Sequence, residues 1–162
     1  MKYIINEHQY KLLTEQEKEI LRVPFAAFGN DWDSLQNYLE RRGNPPYEIT
    51  DDLNLYKSDI KSLGNLTSVG GILSLGYTKI KSLGNLTSVG GYFNLEGTKI
   101  KSFGNLTSVG GSLNLFNSKI ESFRNLISVG GSLNLYSTPL SRKYPSEEEI
   151  RSMVKVGGDV YL

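Results

Sequence analysis

Few residues in this chain have the type and spacing that chemistry requires. His8 is the only histidine, and no motif sets a serine or carboxylate beside it, so an acid–base or nucleophilic site has no second member. Asp51 and Asp52 are adjacent carboxylates, but they fall at the position of a recurring Gly-Gly pair and are expected to be turn residues. Asn65-Leu66-Thr67 and the matching triplets at Asn85 and Asn105 fit a glycosylation acceptor; without a secretory leader they are better taken as corner asparagines. No phosphate-binding GxxxxGK[ST], HExxH or EF-hand loop is present, and the absence of cysteine removes thiolate ligands and nucleophiles. The expectation is a non-enzyme with no metal site and no cofactor.

Two sets of side chains are suited to binding instead. Tyr56, Tyr77, Tyr92, Phe116 and Tyr136, with Ile72 and Glu96 among them, recur near the same place in successive segments, and aromatics give large contact area for little lost rotamer freedom. Lys61, Lys81 and Lys101 form one lysine column and Lys79, Lys99 and Lys119 a second, with Glu121 interrupting the first. Such lysines suit an anionic partner, with salt-sensitive affinity. They also serve solubility and deter edge pairing, and few arginines and no aromatic–basic interleaving mark this face, so solubility is the preferred account.

Positioning these residues is the work of a repeat. At a shift of 20 the chain reads LNLYKSDIKSLGNLTSVGGI, LSLGYTKIKSLGNLTSVGGY, FNLEGTKIKSFGNLTSVGGS and LNLFNSKIESFRNLISVGGS, then a broken copy beginning LNLYSTPLS. A period of that length means stacked coils. Leucine, isoleucine and valine columns, such as Leu53, Leu73, Phe93, Leu113 and Leu133, are expected inside the stack. The LxL pair and the TKIKS segment each alternate as half-buried strands do, predicting two short parallel strands per coil. The Gly-Gly pairs are expected to turn through positive φ, and Asn65, Asn85, Asn105 and Asn125 to ladder at the other corner.

The pattern LxLxxTxIxSLxxL resembles the leucine-rich repeat, and NLTSVGGxLxL is similar to the short-coil receptor L-domain style of repeat. The resemblance implies a repeat solenoid, leucine-rich-repeat or β-helix-like, over residues 49–138, and implies no particular partner. Residues 1–48 are expected to form a helical amino-terminal cap, with a capping box at Asn6-x-x-Gln9, an Ile5–Tyr10 staple and a second helix over Asp31–Arg42. Residues 139–162 are expected to close the stack with a helix opened by Ser146-x-x-Glu149 and a last strand that repeats the VGGxLxL phrase.

The chain carries 18 basic and 17 acidic residues in 162, so any electrostatic argument is local. No apolar run approaches membrane-spanning length, and a cytoplasmic protein is expected. The leading expectation is a protein–protein interaction module. The opening MKYIINEHQYKLL and the near-identical coils resemble small bacteriophage accessory proteins, which implies a host factor, such as a defence enzyme, as partner. Nucleic-acid or polyanion binding through the lysines is the alternative, and an assembly or virion component a third.

Overall fold

The computed structural model describes residues 20–162; the expected first helix, its capping box and His8 lie outside that range. The repeat closes into a solenoid with two parallel sheets. The first sheet has seven strands: β1 (Leu21–Val23), β2 (Tyr47–Ile49), β4 (Leu66–Val69), β6 (Ser88–Val89), β8 (Ser108–Val109), β10 (Ser128–Val129) and β12 (Lys155–Val156). The second has six: β3 (Leu53–Asn54), β5 (Leu73–Ser74), β7 (Phe93–Asn94), β9 (Leu113–Asn114), β11 (Leu133–Asn134) and β13 (Val160–Tyr161). Register within the repeats is one coil per strand, as in Leu73 opposite Phe93 and Val89 opposite Val109.

The expected columns form the core. Leu53, Leu73, Phe93, Leu113 and Leu133 are buried, as are the columns through Leu55, Leu66 and Val69, with Ile60 at the amino-terminal end half-covered. Phe103 and Phe123 continue the column of Leu63 and Leu83 and stack at 6.3 Å between ring centroids. Like residues meet because the stacking distance is the strand spacing, about 4.8 Å.

The second strand of each coil is not where the alternation placed it. TKIKS is extended but almost unpaired: Ser102 and Ser122 make a single bridge, and the backbone bonds crossing here run from Lys119 N to Thr98 O (3.1 Å) and Glu121 N to Lys101 O (2.9 Å). The sheet partner is the TSV segment. One inward isoleucine between two outward lysines shows an extended chain with a buried side; it carries no information on whether the next coil lies within hydrogen-bond reach.

The glycine pairs also work differently from expectation. None of Gly70, Gly71, Gly90, Gly91, Gly110, Gly111, Gly130 or Gly131 has positive φ. They continue the inter-coil ladder, with Gly90 N donating to Val69 O at 2.8 Å and Gly91 N to Gly71 O at 2.9 Å. A Cβ on Gly91 would sit 2.9 Å from Gly71 C, and one on Gly70 would sit 2.6 Å from Thr50 O. Close backbone approach between coils is what demands glycine here. Positive φ belongs to two other columns: Gly64, Gly84, Gly104 and Arg124, and Lys57, Tyr77, Gly97, Asn117 and Ser137. The first is held by Ser62 and Ser82, whose hydroxyls accept from Gly64 N and Gly84 N.

Asparagines at the corner bind the preceding coil. Asn65 Nδ2 donates to Asn44 O, Asn105 Nδ2 to Gly84 O and Asn125 Nδ2 to Gly104 O, while Asn85 Nδ2 reaches Asn65 Oδ1 at 3.3 Å. Thr78, Thr98 and Thr138 are buried and donate to the carbonyls of Leu75, Leu95 and Leu135, three residues back.

At the amino end, helix α1 (Trp32–Glu40) begins at Asp31, whose carboxylate accepts from Ser34 N at 2.8 Å, and Gly43 follows at φ 74°. Leu35 and Leu39 are buried, with Trp32 and Tyr38 packed beside them. The sheet reaches further than the repeat: β1 and a 3₁₀ turn over Phe25–Phe28 lie within the segment expected to be helical. Asp51 accepts from Phe25 N and Ala26 N of that turn, and Asp52 Oδ1 accepts from Ile72 N. Thr50 and Asp51, one residue earlier than expected, stand opposite Gly70 and Gly71. Asp51 therefore ties the cap to the first coil, and Asp52 ties the first coil to the second.

At the carboxyl end, a short helix α2 (Pro139–Lys143) starts at Thr138 and buries Leu140 in the isoleucine column. Its signal was the Thr-Pro pair at N-cap and N1. Helix α3 (Glu147–Met153) carries the expected Ser146–Glu149 capping box. It delivers Arg151 to the open edge of the first sheet. There Nη1 donates to Val156 O and Nη2 to Gly158 O, both at 2.7 Å. Those carbonyls correspond to Val129 O and Gly131 O, which accept from Gly157 N and Gly158 N. The guanidinium thus takes the place of the two glycine amides that a further coil would bring, and Glu147 holds it at 2.7 Å. No helix among the described residues is long and apolar enough to cross a membrane.

Two predictions follow from this packing. Arg151→Ala leaves the two edge carbonyls bare, so it should cost about 1–2 kcal/mol and promote concentration-dependent self-association. Denaturant melts and light scattering check this; an equally stable, equally dispersed variant refutes the edge role. The second concerns Tyr47, whose hydroxyl donates to Leu63 O at 2.8 Å. Burial pushes its phenol up from 10.0 to about 12, so the neutral form stabilises the fold. That stability is intact below the ordinary phenol pKa and is lost as pH rises toward about 12, by about 2–3 kcal/mol in all. Tyr47→Phe should cost about 1 kcal/mol at neutral pH and flatten the alkaline fall measured by urea titration.

Candidate functional site

The outward side of the second sheet is built from three columns. The central one, Asn54, Ser74, Asn94, Asn114 and Asn134, is occupied by the fold. The Oδ1 atoms of Asn54, Asn94, Asn114 and Asn134 accept from the amides of Tyr56, Glu96, Phe116 and Tyr136, and Asn114 Nδ2 reaches Asn94 Oδ1 at 3.3 Å. Each asparagine thereby fixes the turn that ends its strand. Only the flanking columns are free to vary.

Those flanks carry the expected aromatics. Among the described residues, the exposed large apolar side chains are Tyr56, Ile72, Tyr77, Tyr92, Phe116, Tyr136 and Tyr161 on or beside this sheet, with Ile20, Ile127 and Met153 elsewhere. Tyr161 was not among the expected binding residues. Its signal lay in the terminal VGGxLxL phrase: Val160 pairs with Leu133, which turns Tyr161 outward opposite Asn134. Tyr136 and Tyr161 lie 6.2 Å apart between ring centroids.

At the other end, Tyr56 and Tyr77 meet edge-to-face at 5.7 Å, with Lys57 Nζ 5.3 Å from the Tyr56 ring. Two missing side chains make room for them. A Cβ on Gly76 would lie 2.8 Å from Tyr56, and one on Gly97 would lie 2.7 Å from the Tyr77 ring. Tyr77 holds φ 58°, which is sterically unfavourable for an aromatic residue, yet the residue is 44% exposed. Its hydroxyl donates to Glu96 Oε1 at 2.7 Å. That bond raises its pKa, with desolvation and the Glu96 charge adding to it. Glu96 is half-buried and serves as the hydrogen-bond acceptor that fixes Tyr77.

The lysine columns lie on the TKIKS side, all exposed. Each has an acid at one end. Asp59 precedes Lys79 and pairs with it at 2.7 Å, and Glu121 follows Lys101 and pairs at 3.2 Å. Between these pairs lies an open cavity of about 630 Å³ lined by Lys61, Tyr77, Thr78, Lys79, Lys81, Gly97 and Lys99. Tyr77 thus belongs to both faces, and aromatic and basic groups do come together here. In sequence Tyr77 lies two residues before Lys79; it holds a left-handed backbone and lines the cavity together with the lysines. Among the described residues no group of three or more histidine, aspartate or glutamate side chains is arranged to hold a metal ion.

Glu96→Gln should bring the Tyr77 phenol part of the way back toward 10.0, because the bond to the carboxylate is the largest cause of its elevation and the carboxylate's charge adds to it. Ring NMR shifts followed through alkaline pH check this, and an unchanged titration excludes Glu96 as the cause. In comparisons with known proteins, no protein-family model, no curated protein and no solved structure matches this chain, so the functional reading rests on these two faces.

Proposed function

We propose that the chain is a non-enzymatic interaction module that binds a protein partner through the aromatic side of its second sheet. The observation that carries this is the segregation of exposed apolar side chains: seven of the ten large ones named above flank one sheet. Clustered exposed aromatics are the composition of a protein-binding patch, whereas scattered ones need no partner. The asparagine column supports the same reading, since it holds the floor rigid while the flanks differ from coil to coil. Rigid presentation lowers the ordering cost of association. The leucine-rich-repeat-like pattern supports a binding scaffold, and the style shared with small bacteriophage accessory proteins supports a cytoplasmic host factor, a defence enzyme among them, as partner.

The test is affinity capture from the host cell, identification of the partner, and direct binding measurements on the purified pair. Tyr92→Ala and Phe116→Ala should each weaken binding at least about 10-fold, the loss expected of central aromatic anchors. Lys119→Gln, away from this sheet, should change it less than about 2-fold, as a peripheral charge does. Retained affinity in the double aromatic variant, with circular dichroism unchanged, overturns the aromatic-face assignment.

A further inference from the structure

We infer that the cavity between the lysine columns is a binding site for a compact polyanion, a small molecule carrying two or more linked phosphate groups. Four lysines, Lys61, Lys79, Lys81 and Lys99, line one concavity of about 630 Å³, within the range of small-ligand sites. Asp59 is the one carboxylate paired into it, through Lys79, so Lys61, Lys81 and Lys99 stand without an ion-pair partner among the described residues. Neighbouring lysines one coil apart repel one another, and a multivalent anion reverses that repulsion.

The extent of the charge selects the ligand. The two acids sit at opposite ends of the columns, and Glu121 claims Lys101. Lys119, one coil further on, is also without an ion-pair partner among the described residues but does not line the cavity; the lysines that do, from Lys61 to Lys99, span about two coil spacings, roughly 10 Å along the axis. A nucleic-acid strand needs cations repeated along its length to release counterions in proportion, whereas a triphosphate needs them gathered at one point. Tyr77, perched over Gly97, adds an apolar wall beside the lysines, suited to a ligand with a ring attached to its phosphates.

The probes are tripolyphosphate, ATP and a 20-nucleotide single strand, titrated calorimetrically against the full chain at low and moderate salt. Tripolyphosphate and ATP should saturate at one equivalent. Lys81→Gln and Lys99→Gln should each weaken binding about 5- to 10-fold and the pair at least about 30-fold, while Lys119→Gln stays within about 2-fold. ATP binding more tightly than tripolyphosphate, with the difference lost in Tyr77→Ala, assigns a nucleoside-type ligand; equal binding assigns the phosphate chain alone. Absence of saturation overturns the site. So does a strand that binds far more tightly than either small probe and loses as much from Lys119→Gln as from Lys81→Gln.

Discussion

Every coil must fit against the next at hydrogen-bonding distance along two edges at once, and the place where that requirement is tightest is the Gly-Gly corner. There the backbones approach so closely that a single added carbon meets the carbonyl of the coil before. Because the amides of the glycine pair also carry the inter-coil ladder, as Gly90 N to Val69 O and Gly91 N to Gly71 O, the corner is both tightly packed and hydrogen-bonded. Parallel pairing admits no slip without moving every leucine out of its column, so one geometric constraint sets register, core and outward faces together.

The two ends show how the constraint is released. At the amino end, the side chains of Asp51 and Asp52 replace ladder contacts by accepting amide protons from the cap and from Ile72. At the carboxyl end, Arg151 offers two parallel donors to Val156 O and Gly158 O, which only a forked cation can do from one side chain. A carboxylate pair and a guanidinium that would attract attention as chemistry are thus part of closing the solenoid. The groups left over are the flanking aromatics and the central lysines, and they meet at Tyr77. That residue holds a left-handed backbone, its ring fits over a glycine, and its hydroxyl is tied to Glu96. An exposed side chain held this firmly is pre-ordered for contact.

Much of this was legible before folding. Columns of like residues at a fixed period predicted the core, the aromatic and lysine columns predicted what faces outward, and Ser146 and Glu149 predicted the last helix. The TKIKS segment was misassigned because alternation reports which side of an extended chain is buried, not whether a neighbour bonds to it. The glycine pairs were recognised for the wrong property: their need is space, while the positive φ falls at the single glycine before asparagine and at the column of Tyr77.

By itself, then, the sequence determined the period, the buried columns and the identity of the variable positions, since each depends only on local spacing and hydrophobicity. The tertiary structure decided which segments pair, that Arg151 completes an edge, and that Tyr77 shares a cavity with four lysines. Those outcomes depend on distances between coils, and distances of that kind arise only when the chain is wound and the backbones have settled at the spacing the glycine corner allows.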